Sequence, residues 1–191
     1  DSTGDWSSDV CSSDLPLGVA VGIVPWNLPL HCTAAKIAAA VIAGNCIIII
    51  KPSPYTPYSG LKLVEMAQKF FPPGVVQVLS GDDSLGQLLT EHPGVDKISF
   101  TGSTATGKKV MESASKSLKR VTLELGGNDA AIVTKNIDVA TIAPALAGVI
   151  FSNSSQVCLA IKRLYVHESI FEEFRDALVD RKSTRLNSSH Q

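Results

Sequence analysis

The chain has 191 residues, 17 basic and 18 acidic side chains, a formal net charge of −1 and a mean hydropathy of +0.18. These values are typical of a globular protein with one or two modest domains, and they exclude a disordered, collagenous or coiled-coil chain. The near-neutral charge favours neither nucleic acid nor a membrane as partner, and no apolar run approaches the roughly 20 residues of a transmembrane helix. Four cysteines without a CxxC pair favour free thiols in a reducing compartment.

The two ends of the chain differ in composition from its middle. Residues 1–14 are rich in serine and aspartate, residues 181–191 are also polar, and neither segment has helical or strand periodicity. Both resemble translated sequencing-adapter read-through, so we predict non-native or disordered tails and exclude them from the fold. Natural disordered tails are the alternative, and in either case we expect no function for Trp6 and Cys11.

The middle of the chain alternates between strand-like and helix-like segments. Continuous apolar or β-branched runs predict buried strands, and helically spaced apolar residues predict helices between them. In chain order these are strand Val19–Trp26, helix His31–Ala43, strand Cys46–Ile50, helix Tyr58–Phe70, strand Val75–Leu79, helix Ser84–Glu91, strand Lys97–Phe100, helix Ala105–Ala114 and strand Arg120–Leu125. Five strands joined by four crossover helices indicate an α/β fold with a doubly wound, mostly parallel, Rossmann-like sheet.

A second domain is predicted after Gly126-Gly127. A strand at Ala130–Thr134, a helix near Val139–Phe151, a polar loop and a strand at Arg163–Val166 follow one another there. We therefore place one domain over residues 15–127 and the start of another over residues 128–180. Apolar residues on the predicted helix, namely Ile142, Leu146 and Val149, are expected to need packing partners from outside this chain.

Polar and glycine residues collect where the predicted strands end. They are Trp26-Asn27, Lys51, Ser80-Gly81, Thr101-Gly102-Ser103, and Glu124 with Gly126-Gly127. Ligands of doubly wound sheets lie outside the carboxyl ends of the strands, so these residues are candidates for one binding site. Turn chemistry alone explains the glycines, but it does not require an amide at Asn27, an amine at Lys51 or an acid at Glu124.

Two of these segments and one loop can be interpreted chemically. Gly102–Gly107 follows a strand and opens a helix, so its N–H groups could bind a phosphate, although its spacing is not GxGxxG and ordinary N-caps give the same pattern. Lys51 could bind a ribose or phosphate, or be solvated. Cys158 lies in a polar loop, whereas Cys32 and Cys46 lie in apolar elements and are expected to be buried thiols. No metal site is predicted.

Five motifs occur in order along the chain. They are Pro25-Trp26-Asn27, Lys51-Pro52-Ser53, Phe100-Thr101-Gly102-Ser103-Thr104, Glu124-Leu125-Gly126-Gly127 and Asn153…Gln156-Val157-Cys158. Each is weak alone, but together they resemble the NAD(P)-dependent aldehyde dehydrogenase superfamily over about residues 15–180. The resemblance implies an interior fragment: a partial NAD(P)-binding domain at 15–127, and at 128–180 the beginning of a catalytic domain with its nucleophile loop. The family's Glu-x-Phe-Gly-Pro motif is not found, so we expect no aldehyde oxidation by the 191 residues alone.

The resemblance implies roles for individual residues. Cys158 would be the nucleophile, Asn27 an oxyanion donor and Glu124 the general base that activates the hydrolytic water. The implied cofactor is NAD or NADP, and the implied substrate is a small-molecule aldehyde that is oxidised to a carboxylic acid. The residues implied in cofactor binding are Trp26, Lys51, Ser53, Gly81, Gly102, Ser103, Gly107, Leu125 and Gly126.

Two positions depart from the family pattern. Ser155 stands where the family commonly has glycine, and if that backbone needs a positive φ, serine costs on the order of 1–2 kcal/mol. Pro54 stands three residues after Lys51, where many NAD-preferring members carry a glutamate that binds the ribose hydroxyls. The sequence therefore does not decide between NAD and NADP as the cofactor, and NADP is more plausible here than in most members.

Two alternative functions are left open by the sequence. One is a non-catalytic fragment or pseudoenzyme of the same fold, which Ser155 and the missing segments favour for the 191-residue chain but not for a full-length parent. The other is a coenzyme-A-acylating aldehyde dehydrogenase, which Glu124 disfavours because such members generally lack this base. The whole protein is expected to be a homodimer or homotetramer, with the cytoplasm as the default location.

Overall fold

The computed structural model describes residues 16–44 and 47–188, with side chains described up to residue 180. The strands are β1 (Val19–Ile23), β2 (Ile47–Lys51), β3 (Val76–Val78), β4 (Lys97–Thr101), β5 (Arg120–Glu124), β6 (Asp129–Val133) and β7 (Ile161–Val166). The helices are α1 (Pro29–Ile42), α2 (Pro57–Ala67), α3 (Asp83–Glu91), α4 (Thr104–Ser115), α5 (Val139–Ile150) and α6 (Phe171–Ser188). The chain divides into two compact units between Leu125 and Gly126. Within the described ranges, no helix combines the length and apolarity needed to cross a membrane.

The first unit contains a five-stranded parallel sheet in the order β3-β2-β1-β4-β5. Its central strands are buried on both faces because β1 and β2 are continuous apolar runs. On one face, Ile37 of α1 and Val64 of α2 pack against residues such as Ile48 and Ile50. On the other face, the residues in contact include Val21, Leu89, Ile98, Phe100, Val110 and Ala114. The predicted doubly wound α/β fold is confirmed.

The register of the strands brings their carboxyl ends to one edge of the sheet. Ile23 of β1 pairs with Lys51 of β2 and with Phe100 of β4, while Thr101 of β4 pairs with Glu124 of β5. All of these pairs are parallel, so the loops that follow the strands leave the sheet on the same side. Candidate residues that are up to a hundred positions apart in the sequence therefore belong to one edge.

The second unit contains the two parallel strands β6 and β7, against which α5 and α6 pack. Its buried residues are Val133, Val139, Ala143, Ala147, Ala160 and Phe174. Ile142 and Leu146 pack against this cluster, so the expectation that their partners lie outside the chain is wrong for these two residues. The reason is that α6 supplies Phe174 and Ala177 as partners, whereas Val149 of α5 is half exposed.

Several element bounds differ from those that the sequence predicts. Helix α1 begins at Pro29 rather than His31, because proline is well suited to the first helical position. Helix α6 continues to Ser188 and so includes part of the segment 181–191 that is predicted as a tail. No glycine or proline occurs between Phe171 and Ser188 to end it. The predictions for Trp6, Cys11 and Cys46 lie outside the described residues.

Candidate functional site

Lys51 is the last residue of β2, and it is only 3% exposed. Its Nζ atom donates a hydrogen bond of 3.1 Å to the carbonyl oxygen of Gly81, and a longer one of 3.5 Å to that of Pro52. Burial lowers the pKa of Lys51, while the negative charges of Asp83 and Asp82 act in the opposite direction. The amine is therefore fixed beside the loop that opens α3.

A cavity of about 430 Å³ lies at this edge, between α3 and α4. Ile23, Phe100 and Val110 give it an apolar part, and the polar residues that line it include Lys51, Asp83 and Thr106. Apolar walls with a few polar groups are typical of small-molecule sites, and this volume accommodates a purine with its ribose. The composition of the cavity therefore fits the adenosine part of a dinucleotide, which sequence analysis places at Lys51 but not between these helices.

Gly86 of α3 lies against the Lys51 side chain in this cavity. A Cβ atom added at Gly86 would lie 3.7 Å from Cε and 3.9 Å from Cδ of Lys51. These are ordinary van der Waals distances, so even an alanine would fill the space above the lysine. Glycine thus leaves this wall open, and sequence analysis did not single it out because its role depends on a contact with a residue 35 positions earlier.

Two contacts between side chains join α3 and α4 at the cavity. The hydroxyl groups of Thr90 and Ser113 are 2.8 Å apart, and the Lys116 amine lies 3.2 Å from a carboxylate oxygen of Glu91. The ion pair is exposed and therefore contributes little stability, whereas the Thr90 side chain is buried. The hydroxyl pair thus adds a polar contact to the apolar packing of Leu89 against Val110 and Ala114, which also joins the two helices.

The glycine-rich segment after β4 forms a helix N-cap. The Ser103 hydroxyl accepts a hydrogen bond of 3.2 Å from the Thr106 backbone N–H and donates one of 3.0 Å to the Thr106 hydroxyl. A Cβ atom on Gly102 would lie 2.6 Å from the Phe100 ring, and one on Gly107 would lie 2.7 Å from Leu125. Capping and close packing thus explain this segment structurally, and its contact with a phosphate stays a prediction.

The segments after β1 and β2 are joined by a hydrogen bond from a side chain to the main chain. The Thr56 hydroxyl donates a hydrogen bond of 3.1 Å to the Trp26 carbonyl oxygen, and the Trp26 side chain is about half exposed. Ser53 is buried, and its hydroxyl accepts a hydrogen bond of 3.3 Å from the Tyr55 N–H. Asn27 lies between β1 and α1 and is partly exposed. Trp26, Asn27 and Ser53 are thus all near the carboxyl edge of the sheet.

Glu124 ends β5 and has an exposed side chain. Its carbonyl oxygen accepts a hydrogen bond of 3.0 Å from the Gly102 N–H, which ties the ends of β4 and β5 together. The charge of Glu124 also acts on Lys36 of α1, whose pKa burial lowers to about 8. Sequence analysis missed Lys36, although a lone lysine in the apolar, alanine-rich α1 was a signal that could have found it.

Cys158 lies in the second unit, in an exposed loop between α5 and β7. Three consecutive residues before it, Asn153, Ser154 and Ser155, have φ angles of 49°, 56° and 63°. The backbone of Ser155 therefore does need a positive φ, which is the condition under which serine carries a strain cost. A hydrogen bond of 2.6 Å from the Ser155 hydroxyl to the Ile150 carbonyl oxygen offsets part of this cost.

The main chain at Cys158 is held by Gly127. The Gly127 N–H donates a hydrogen bond of 3.1 Å to the Cys158 carbonyl oxygen, and a Cβ atom on Gly127 would lie 2.9 Å from that oxygen. The Lys162 amine donates to the carbonyl oxygens of Gly127 and Val157 at 3.3 and 3.4 Å. Glycine is therefore required at position 127, and the predicted roles of Gly126 and Leu125 next to it stay predictions.

Comparison with known proteins decides the family. Residues 2–189 match the family model described as "Aldehyde dehydrogenase family". The chain belongs to the aldehyde dehydrogenase family. Aldehyde dehydrogenase LUC3 of a Fusarium species is 53% identical over 165 residues, which are 86% of this chain and 34% of that protein. Phenylacetaldehyde dehydrogenase of Pseudomonas fluorescens is 42% identical over 171 residues, 88% of this chain and 34% of that protein. The chain thus spans about a third of the length of the curated relatives it matches.

Solved structures of similar sequence have the same fold. PnpE of a Pseudomonas species, in complex with nicotinamide adenine dinucleotide, has a TM-score of 0.82 and 45% identity; 86% of this chain and 34% of that one are covered. An NADP-dependent enzyme of E. coli has a TM-score of 0.84 and 38% identity; the match covers 88% of this chain and 35% of that one. The family and the Rossmann-like fold that the sequence predicts are confirmed.

Proposed function

We propose that the whole protein oxidises an aldehyde to a carboxylic acid with NAD or NADP. The observation that carries the proposal is the single edge of the sheet at which Lys51, Thr101 and Glu124 end their strands, beside a cavity of adenosine size. Family membership supports the same reaction class. The substrate would be a small-molecule aldehyde.

The cofactor would be held by the first unit. The adenine ring and its ribose would occupy the cavity, with the Lys51 amine as a hydrogen-bond donor to the ribose. The N-terminus of α4 would receive the pyrophosphate at Gly102 and Ser103, because helix N-termini present free N–H groups and a positive dipole end. Trp26 and Ser53 would line the path of the cofactor along the edge. When bound, the dinucleotide supplies a hydride acceptor.

Cys158 would form the covalent bond to the substrate. Its thiolate would add to the aldehyde carbon, which converts the carbonyl oxygen into an oxyanion in a tetrahedral thiohemiacetal. The side-chain amide of Asn27 and the backbone N–H of Cys158 would donate hydrogen bonds to that oxygen, and one such donor typically contributes roughly 3–4 kcal/mol. The exposure of Cys158 supports this role, since an aldehyde can reach the sulfur.

The thiohemiacetal carbon would lose a hydride to the bound dinucleotide, which would leave a thioester at Cys158. Glu124 would act in the hydrolysis of this thioester. Its carboxylate would accept a proton from a water molecule, which would then attack the acyl carbon and release the carboxylic acid with the Cys158 thiolate as the leaving group. The exposed carboxylate at the end of β5 is compatible with access by water. Lys36 would contribute a nearby positive charge when it is protonated.

The test is the variant Cys158→Ala in the whole protein. We expect no measurable turnover with any aldehyde, while affinity for the cofactor changes little because Cys158 lies outside the first unit. Cys32→Ala is the matched control: it removes a thiol within α1 and should keep most of the activity. Turnover above a few per cent in the Cys158→Ala variant would show that another group is the nucleophile.

A non-catalytic protein of the same fold is the second candidate. The observation that favours it is the run of three non-glycine residues with positive φ in the loop that contains Cys158. Under this alternative the whole protein binds NAD or NADP but oxidises no member of an aldehyde panel. An acyl-coenzyme A product that forms only when coenzyme A is added would instead identify the acylating alternative.

A further inference from the structure

The Lys51 amine has an acidic neighbour that comes from a distant part of the sequence. Three residues after Lys51, the exposed Pro54 offers no hydrogen-bond acceptor on its side chain. Asp83, the first residue of α3, lines the same cavity as Lys51. The cavity therefore contains a carboxylate beside the lysine even though position 54 provides none.

Asp83 and its neighbour Asp82 have different structural roles. The Asp82 carboxylate caps α3, since it accepts hydrogen bonds of 2.9 Å from the Ser84 N–H and 2.6 Å from the Ser84 hydroxyl. No hydrogen bond or ion pair to the Asp83 carboxylate is found among the described residues. The cap is thus complete without Asp83, whose carboxylate is available to a ligand.

Asp83 is held close to Lys51 by the loop before α3. The Lys51 amine binds the carbonyl oxygen of Gly81, two residues before Asp83, so the lysine is fixed to the same loop. Of the two aspartates, Asp83 exerts the stronger charge effect on Lys51. A ribose that accepts a hydrogen bond from Lys51 would consequently lie within reach of the Asp83 carboxylate.

We propose that Asp83 makes this site selective for NAD over NADP. The inference rests on the proposed role of the cavity as the adenosine site. A carboxylate accepts hydrogen bonds from the 2′-hydroxyl of NAD, and its negative charge repels the 2′-phosphate of NADP. Among the other cavity residues, Lys116 is paired with Glu91, so it does not offer an unpaired cation to a phosphate. Lys109 also lines the cavity from α4, and no ion pair of its amine is found in the described part of the chain, so the charge of Asp83 has to outweigh that of Lys109 if the site is to prefer NAD.

The test compares ligands with and without a 2′-phosphate on the 191-residue chain, by isothermal titration calorimetry. The first pair is NAD and NADP. The second pair is AMP and adenosine 2′,5′-bisphosphate, which require only the adenosine part of the site. We expect the wild-type chain to bind NAD and AMP at least tenfold more tightly than their 2′-phosphorylated counterparts. Asp83→Asn should reduce each ratio by about tenfold, since it removes both the repulsion and the charge-assisted hydrogen bond.

Two further variants separate this effect from general ones. Asp83→Glu keeps the charge and should keep the selectivity, even if it weakens all four ligands equally. Glu65→Gln makes the same change in net charge on α2, outside the cavity, and should leave both ratios unchanged. The ratio also corrects for a variant that is partly unfolded, since both ligands of a pair are measured on the same sample.

The outcomes distinguish this inference from the proposed function. A wild-type chain that binds none of the four ligands overturns the adenosine role of the cavity, and with it the selectivity of Asp83. Binding with unchanged ratios in Asp83→Asn, or a wild-type preference for the 2′-phosphorylated ligands, overturns the role of Asp83 alone. Equal effects of Asp83→Asn and Glu65→Gln would also overturn it, because the selectivity would then be a property of the net charge.

Discussion

The Nζ atom of Lys36 lies 2.8 Å from the hydroxyl oxygen of Ser99, so an amine from α1 is bound to the face of β4. Lys36 is only 8% exposed, and its side chain passes over Gly22 of β1, where an added Cβ atom would lie 3.0 Å from Cδ of the lysine. The buried Lys36 amine has lost most of its hydration and, within the part of the chain that the structure describes, has only one hydrogen bond, to the Ser99 hydroxyl, to compensate for the loss. Its protonation therefore opposes folding.

Stability should rise with pH because of Lys36. Burial lowers its pKa from 10.5 to about 8, so between these two values the folded chain binds fewer protons than the unfolded chain. The free energy of unfolding should therefore increase from pH 8 to pH 10.5, with Lys36 contributing up to about 3 kcal/mol. Urea unfolding followed by circular dichroism at pH 7.5, 9 and 10 measures this increase.

The variant Lys36→Met isolates this contribution. It should be more stable than the wild type at pH 7.5, and the difference should shrink as the pH rises. Lys62→Met is the control, because Lys62 is an exposed lysine paired with Glu65 and should leave the slope unchanged. A wild-type slope that persists undiminished in Lys36→Met would assign the effect to other lysines, such as Lys51 and Lys97, whose pKa values burial also lowers.

Leu118 offers a test of backbone strain in the first unit. Its φ is 52°, its side chain is 91% exposed, and its N–H donates a hydrogen bond of 3.2 Å to the Ser115 carbonyl oxygen. The left-handed conformation costs a non-glycine residue about 1–2 kcal/mol. Glycine avoids this strain, but it loses more conformational entropy on folding, which cancels about half of the gain. Leu118→Gly should stabilise the chain by about 0.5–1 kcal/mol in urea unfolding. Ser117→Gly, at a position without positive φ, should destabilise it instead.

Glu124→Gln in the whole protein tests the proposed hydrolytic step. The amide cannot accept the proton of the attacking water, so the acyl-enzyme should accumulate. We expect a rapid burst of reduced cofactor, with an amplitude near one per active site, followed by turnover reduced at least a hundredfold. Stopped-flow absorbance at 340 nm, the band of the reduced nicotinamide, measures both phases. Steady turnover at a near-normal rate with no burst would remove Glu124 from this step.

Pro54→Glu tests whether position 54 faces the ribose. A glutamate there would add a second carboxylate near the 2′ position, and one charge-assisted hydrogen bond contributes roughly 1.5–3 kcal/mol. The ratio of kcat/KM for NAD to that for NADP should therefore rise about tenfold in the whole protein. In the control Pro54→Gln, the new side chain has the size of glutamate but no charge, so the ratio should change less. An unchanged ratio in Pro54→Glu would mean that the exposed position 54 points away from the ribose.

The fold of the first unit could be predicted because its signals are local. Continuous apolar runs such as Ile47–Ile50 predict doubly buried strands, and the turn residues between them give the alternation of strands and helices. Family motifs at the strand ends then indicate the site. These features depend on residue type and short spacing, which a single sequence displays.

The contacts that the sequence did not predict are those between distant segments. The neighbours of Lys51 come from the Gly81–Asp83 loop, about thirty positions later, and Lys36 meets Ser99 across 63 positions. Similarly, the partners of Ile142 and Leu146 lie on α6, whose packing could not be inferred from the pattern of α5 alone. These contacts depend on how distant segments pack together, and the spacing of residues within one segment does not reveal that packing.

The alignment of the strand ends has a consequence for how such a protein can change over evolutionary time. Ile23, Lys51 and Phe100 pair with one another near the carboxyl ends of their strands, and the side chains on the amino-terminal side of these pairs form the apolar clusters. Pro54 and Asp83 lie beyond that level, are exposed and belong to neither cluster. Loops there can be exchanged while the sheet keeps its stability. If the cavity holds the adenosine part of the cofactor as proposed, new dinucleotide preferences would arise by few substitutions, and redesign for an artificial nicotinamide carrier would begin at these two positions.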